Sequence, residues 1–281
     1  MYRILFRIGS FPFYSYGAMI ALAFIVAILV AMNEAKREGE NQERILDISL
    51  WVIVGALIGG RIAYVLTHLD YYLKDPIKIL YFRQGGLSFL GGLFLAVFLG
   101  WLYVKRNKIQ FWKYADIAAP SIAIGIGIGR IGCLLNGCCY GVITENYGIT
   151  YPAVNMPPAY LQQLRDGLIS TGSACTLPVV PTQIYSSLYG FIIFFILLRI
   201  KKYKQYDGFT FLSFLILFSA SRFTIEFFRF YENRIMVFNS ITITQVICIA
   251  VFLSAFIFMN VLKKKNTLSS YRTGVSKYSD E

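Results

Sequence analysis

The chain has 281 residues, of which 57% are hydrophobic and 15% charged, and its 27 basic and 15 acidic side chains give a formal net charge of +12. Typical soluble domains carry about 25% charged residues, so a water-soluble enzyme is excluded, and so are disordered and collagen-like chains. Uncharged runs cover residues 8–33, 84–104, 167–198 and 235–262, each longer than the roughly 20 apolar residues a bilayer crossing needs.

Stretches such as FIIFFILLRI and ICIAVFLSAFIFM lack the period-two alternation of barrel strands and specify helices. The expected fold is an all-α integral membrane protein with seven crossings, at about residues 15–33, 48–68, 87–104, 116–135, 182–199, 208–228 and 240–261. The first run lacks a small-residue cleavage site in the expected place and reads as a mature helix. The second carries Arg61 in ALIGGRIAYVL, with His68 near its end as a packing or interface residue. The third opens on two glycine pairs, Gly85 and Gly86, then Gly91 and Gly92. In the fourth, Gly125, Gly127, Gly129 and Gly132 surround Arg130. Residues 137–181 form a long proline-containing connection that reads as a folded head or lid. The sixth crossing holds Arg222 and, four residues on, Glu226 on the same helical face. Residues 1–262 read as a single transmembrane domain and 263–281 as a tail, solvated and disordered after Asn266.

Alternate connections carry 8 Lys and Arg on one side, including Arg83, Arg165 and Arg234, and 16 on the other. The richer side is expected to be cytoplasmic, which puts the N-terminus and the 137–181 head outside and the C-terminus inside. The basic surplus is then topological, holding loops against anionic lipid, and no nucleic-acid partner is expected.

An arginine at membrane depth costs about 2.5–3.5 kcal/mol, so such residues are functional candidates. Arg61, Arg130 and Arg222 against Glu226 leave two positive charges uncompensated. An anionic ligand would cancel them, and guanidinium forks match phosphate oxygens, which points to a phospholipid headgroup. Snorkelling of Arg61 and Arg130 to the interface is the competing reading, as is a purely structural Arg222–Glu226 pair. The glycines allow either close helix approach or backbone N–H groups exposed to an anion. They match no nucleotide-binding spacing. Cys133, Cys138, Cys139 and Cys175 cluster at or beyond the end of the fourth crossing, where an oxidising compartment favours disulfides. A bond from Cys175 to Cys138 or Cys139 would tie the head to the helix end. Zinc is the less favoured alternative, because CLLNGCC lacks two separated CxxC pairs. Cys248 reads as packing.

Six segments in this order resemble the phosphatidylglycerol–prolipoprotein diacylglyceryl transferases of bacterial plasma membranes, from about Tyr14 to Met259. They are SYG with Tyr16 and Gly17, GGRIAYVL (59–66), RQGGLSFLGG (83–92), GRIGCLLNGCCYG (129–141), PTQIY (181–185) and RFTIEFFR (222–229). The resemblance implies a multi-pass bacterial inner-membrane enzyme with its active site toward the outer side. Its reaction moves diacylglycerol from phosphatidylglycerol, or a related anionic phospholipid, to the lipobox cysteine of a prolipoprotein signal peptide. No metal or organic cofactor is implied. Arg130, Arg222 and Glu226 would be catalytic; Tyr16, Arg61, Gly91, Gly92, Asn136 and Gly141 would join Arg130 and Arg222 in binding the lipid. Where the family commonly has His, this chain has Leu90 and Val180; Cys133, Cys138, Ser186 and Phe218 also depart from its pattern. The alternative is a divergent phospholipid-binding paralogue with lost or altered transferase activity. A solute transporter rests on helix count and intramembrane charge alone.

Overall fold

The structure, a computed structural model, describes residues 3–9, 11–80, 86–145, 147–231, 236–237 and 241–277, with the backbone alone at 11, 80 and 267–277. Arg83, Gln84, Gly85 and Arg234 lie outside the described residues. Among the described residues, seven helices are long and apolar enough to cross a membrane. They fall in two compact units, Met1–Val30 with Ala115–Glu281, and Ala31–Tyr114.

In the 31–114 unit, the end of α1 (Ser15–Arg37) leads into α2 (Gln42–Thr67), the short α3 (Leu69–Tyr72), a 3₁₀ turn (Pro76–Leu80) and α4 (Phe89–Arg106). Helix α2 starts six residues before the expected crossing, because the Asn41 side chain accepts the Glu43 N–H (2.8 Å) and caps a polar first turn. Small residues spaced by four build the seam between α2 and α4. A Cβ on Gly55 would lie 2.8 Å from the Ala96 Cα, and one on Gly92 would lie 2.8 Å from the Ala56 carbonyl oxygen. A Cβ on Gly91 would overlap Ala63 and the Gly59 carbonyl. Gly91→Val should therefore lower the thermal unfolding midpoint in detergent, corresponding to about 1–3 kcal/mol of overpacking; an unchanged midpoint would show that the helices do not meet there.

The turn between α1 and α2 is held by charge. Glu40 accepts from Lys113 Nζ (2.7 Å) and the Tyr114 hydroxyl (2.9 Å), with Arg44 at 3.8 Å. The hydrogen bond from Lys113, seconded by Tyr114, holds the Glu40 carboxyl below the ordinary 4.5. A depressed carboxylate stabilises the fold fully above its unfolded value, and the contribution is lost as pH falls through the lower folded value. Unfolding midpoints measured downward from pH 6 should fall less steeply in Glu40→Gln than in the parent protein.

The second unit begins with an antiparallel hairpin, β1 (Ile4–Ile8) and β2 (Phe11–Tyr14), which the apolar-run analysis does not anticipate. Phe6 stacks on Phe13 at 4.6 Å, and Arg3 Nη1 donates to the Asn155 and Met156 carbonyls (2.7 and 2.9 Å). Helix α5 (Phe111–Asn136) uses its glycines on two faces. Gly125, Gly129 and Gly132 face α1, at Ala27, Ile20 and Met19. Gly127 faces α7 (Thr182–Ile200), where a Cβ on Gly190 would lie 2.6 Å from the Gly127 nitrogen. The Ser187 hydroxyl donates to the Gly127 carbonyl (2.8 Å), fixing this crossing. Close approach is thus what these glycines provide.

The described residues of 137–181 fold into a small head around buried Tyr140, Tyr151, Ala159 and Val179, with α6 (Pro158–Arg165) on it. Helix α8 (Phe209–Glu226) and α9 (Ile243–Lys277) complete the unit, with the short β3 (Met236–Val237) and β4 (Ile241–Thr242) between them. The tail differs from expectation: α9 continues as helix through Lys277. A helix already nucleated in the apolar segment extends at low cost through a stretch without proline.

Candidate functional site

The 31–114 unit holds Arg61, Gly91 and Gly92. Arg61 is 4% exposed and its guanidinium is committed to backbone: Nε donates to Ile79 O (2.8 Å), Nη2 to Lys78 O (2.6 Å) and Nη1 to Gly86 O (3.0 Å). The charge also sits over the Tyr72 ring at 5.2 Å. These donors fold the chain after α3 back onto α2, rather than reaching out by snorkelling. Gly91 and Gly92 lie in the helix seam described above. His68 stacks on Tyr64 at 4.2 Å, and Leu90 is 74% exposed.

The other expected residues meet in the larger unit. Arg130, one turn and a half before the end of α5, and Arg222, one turn before the end of α8, line one narrow crevice with Ser186, Tyr189, Phe218 and Ser221. Its interior volume is about 20 Å³, room for one water. Among the described residues Arg130 has no carboxylate partner. Arg222 Nη1 lies 2.5 Å from Glu226 Oε2, as the i, i+4 spacing requires. That contact is misdirected for a hydrogen bond, so the buried Nη1 lacks a well-aligned acceptor.

Glu226 is 1% exposed and held from three directions. The Tyr231 hydroxyl accepts from Arg222 Nη2 (2.8 Å) and donates to Glu226 Oε2 (2.9 Å), while the Thr242 hydroxyl donates to Oε1 (2.9 Å). Thr242 also opens α9: its oxygen accepts the Gln245 N–H (3.2 Å), and Gln245 Oε1 accepts the Thr242 N–H (2.9 Å). This is a capping box, which engages the hydroxyl as acceptor and leaves its proton for the carboxylate. Sequence reasoning missed Tyr231 and Thr242, although the Thr-x-x-Gln spacing ahead of the last apolar run is a legible cap signal.

Around the end of α5, Tyr16 packs on Gly132, 3.6 Å from the position a Cβ would take, and lies within electrostatic reach of Arg130. Asn136 hydrogen-bonds the Cys138 side chain. The Gly141 N–H is spent on Val180 O (2.8 Å), and a Cβ there would overlap the Phe228 carbonyl, so Gly141 serves as a crossing point in the head. All five cysteines are free thiols. The expected tie from Cys175 is not formed: Cys175 is exposed beside Pro152, whereas Cys138 and Cys139 gather with Cys133, their sulfurs within 4.8 Å of one another. Hydrogen bonds from Cys133 and Cys138, then the charges of Arg229 and Arg130, hold the Cys139 thiol well below its ordinary range.

Two guanidiniums on one crevice, with, among the described residues, a single carboxylate behind one of them, form a positively charged locus suited to a phosphate. Residues 3–261 match the prolipoprotein diacylglyceryl transferase family. The chain is 33% identical over 264 residues to the phosphatidylglycerol–prolipoprotein diacylglyceryl transferases of Bacillus mycoides strain KBAB4 and Bacillus cytotoxicus, covering 93% of this chain and 92% of each relative. The Bacillus cereus strain Q1 protein of the same name is 32% identical over the same extent. The chain therefore belongs to the prolipoprotein diacylglyceryl transferase family.

Proposed function

We propose that this multi-pass membrane protein transfers the diacylglyceryl group of phosphatidylglycerol to the lipobox cysteine of a prolipoprotein, with Arg130 and Arg222 holding the donor's phosphate. The observation that carries this reading is their shared crevice, where, among the described residues, Arg130 lacks a carboxylate partner and Arg222 Nη1 lacks an aligned acceptor. Because the interior admits about one water, the headgroup is held at the mouth, where Arg130 is half-buried. The substrate thiolate attacks the glyceryl carbon that bears the phosphate oxygen. A C–S bond forms, the C–O bond breaks, and its electron pair leaves on glycerol phosphate. Guanidiniums placed at that oxygen stabilise the charge that develops there.

Glu226 orients Arg222; its lone pairs are already engaged by Arg222, Tyr231 and Thr242, which suits a positioning role better than proton transfer. Tyr16 and Asn136 stand beside Arg130's helix end as donors to the headgroup. Arg229 and Arg130 add positive potential that favours a thiolate. Arg61, Gly91 and Gly92 support the fold of the 31–114 unit, and Gly141 supports that of the head. The charge asymmetry of the connections supports the 137–181 head and the chemistry facing the outer side of the bacterial plasma membrane.

The test is the conversion itself, with detergent-purified protein, acyl-labelled phosphatidylglycerol and a lipobox peptide. The expected product is a thioether-linked diacylglyceryl peptide with one glycerol phosphate released per transfer. Unmodified peptide, with phosphatidylglycerol bound but intact, would establish the binding-only alternative.

A further inference from the structure

The end of α5 brings together three thiols that phosphate binding does not use. Cys133, Asn136, Gly137 and Cys138 form a helix-ending motif in which the Cys138 N–H bonds to Cys133 O (3.1 Å) and the Gly137 N–H to Leu134 O (3.2 Å). Gly137 takes φ +74°, the left-handed conformation this cap requires. Such a cap turns the side chains at its third-last helical position and second following position toward each other, and those positions are Cys133 and Cys138.

Cys139 follows with φ +60°, a conformation that costs a residue with a side chain about 1–2 kcal/mol. Its carbonyl is held by the Thr182 hydroxyl (2.8 Å) and that of Cys138 by Gln183 Nε2 (2.7 Å). The backbone of both cysteines is therefore fixed before any ligand arrives.

We propose that Cys133, Cys138 and Cys139 bind one thiophilic d¹⁰ metal ion, Zn²⁺ or Cu⁺, through three thiolate sulfurs. The sulfurs lie within 4.8 Å of one another. Metal–sulfur bonds of about 2.3 Å at tetrahedral angles separate ligand sulfurs by about 3.8 Å, so the trio closes on an ion by about 1 Å or less. Sulfur donors select zinc or copper over calcium and magnesium, which take oxygen. Binding forms three metal–sulfur bonds, and each ligand thiol that still carries a proton releases it. The complex is left anionic, and the neighbouring Arg130 and Arg229 offset that charge. Three protein ligands leave a tetrahedral ion one position for water or an exogenous thiol. The site stands whether or not transfer is observed, since metal binding is read without turnover.

The experiment uses the full chain, tag-free and phosphine-reduced in detergent, titrated with Co²⁺ as the spectroscopic probe. One Co²⁺ per chain is expected, with a sulfur-to-cobalt charge-transfer band that stoichiometric Zn²⁺ removes. Cu⁺ delivered against a chromophoric chelator distinguishes the second ion: tighter retention of Cu⁺ assigns copper, and displacement of Co²⁺ by Zn²⁺ alone assigns zinc. The band should vanish in Cys138→Ser and in Cys139→Ser and persist in Cys175→Ser. Metal-dependent protection of Cys138 and Cys139 from alkylation, read on the parent protein by mass spectrometry, does not require a variant to fold. Absence of a thiolate band and of protection in the parent protein would overturn the proposal, as would a band that survives both serine variants.

Discussion

Replacing Arg130 by alanine is expected to lower the rate of transfer by about 10²–10³-fold, the usual effect of removing one preorganised donor from a site of developing negative charge. The unfolding midpoint should hardly move. Arg130 has no carboxylate partner among the described residues and is half-buried at the crevice, so its removal orphans no buried charge. Arg130→Lys should recover only part of the rate, because an ammonium is a point charge without the planar fork that spans two phosphate oxygens. Initial rates and thermal unfolding on the same preparations check both halves.

Arg222→Ala should behave differently, losing transfer and also about 3–5 kcal/mol of stability, the cost of breaking a buried ion pair by removing one partner. Glu226 is 1% exposed and cannot turn to water. Among the described residues, the neutral hydroxyls of Tyr231 and Thr242 also donate to it. Adding Glu226→Gln to Arg222→Ala removes the buried negative charge, so the double variant should regain much of the stability and none of the transfer. Denaturant unfolding of the single and double variants separates the two roles. If Arg222→Ala were as stable as the parent protein, the pair would not be the buried device described here.

The seven apolar helices were legible because a membrane crossing demands about 20 predominantly apolar residues, a demand met even where Arg61, Arg130 and Arg222 interrupt the runs. Their boundaries were less so: hydrophobicity marks the lipid-buried part of a helix, whereas α2 gains a polar first turn from the Asn41 cap and α9 runs on through a polar tail. The Arg222–Glu226 pair followed from its i, i+4 spacing. Arg61 showed the same signal, an arginine at membrane depth, yet its donors end on three carbonyls supplied by residues 17 to 25 positions away. No local pattern encodes that fold-back. The glycines announced close approach or anion binding equally, and only the facing helices decide for close approach. The three-sulfur cluster was hidden because an expected oxidising compartment suggested disulfides and the spacing lacked two CxxC pairs, while the helix cap turns Cys138 toward Cys133 and leaves Cys175 apart.

The most direct test of phosphate stabilisation is the single-turnover transfer rate at saturating phosphatidylglycerol, measured with the parent protein and Arg130→Ala. Saturation removes differences in lipid affinity and isolates the bond-breaking step. A rate lower by about 10²–10³-fold in the variant is expected if Arg130 meets the charge that develops on the leaving oxygen. Equal rates at saturation, with only the half-saturating lipid concentration raised, would contradict this and reduce Arg130 to holding the headgroup in the ground state.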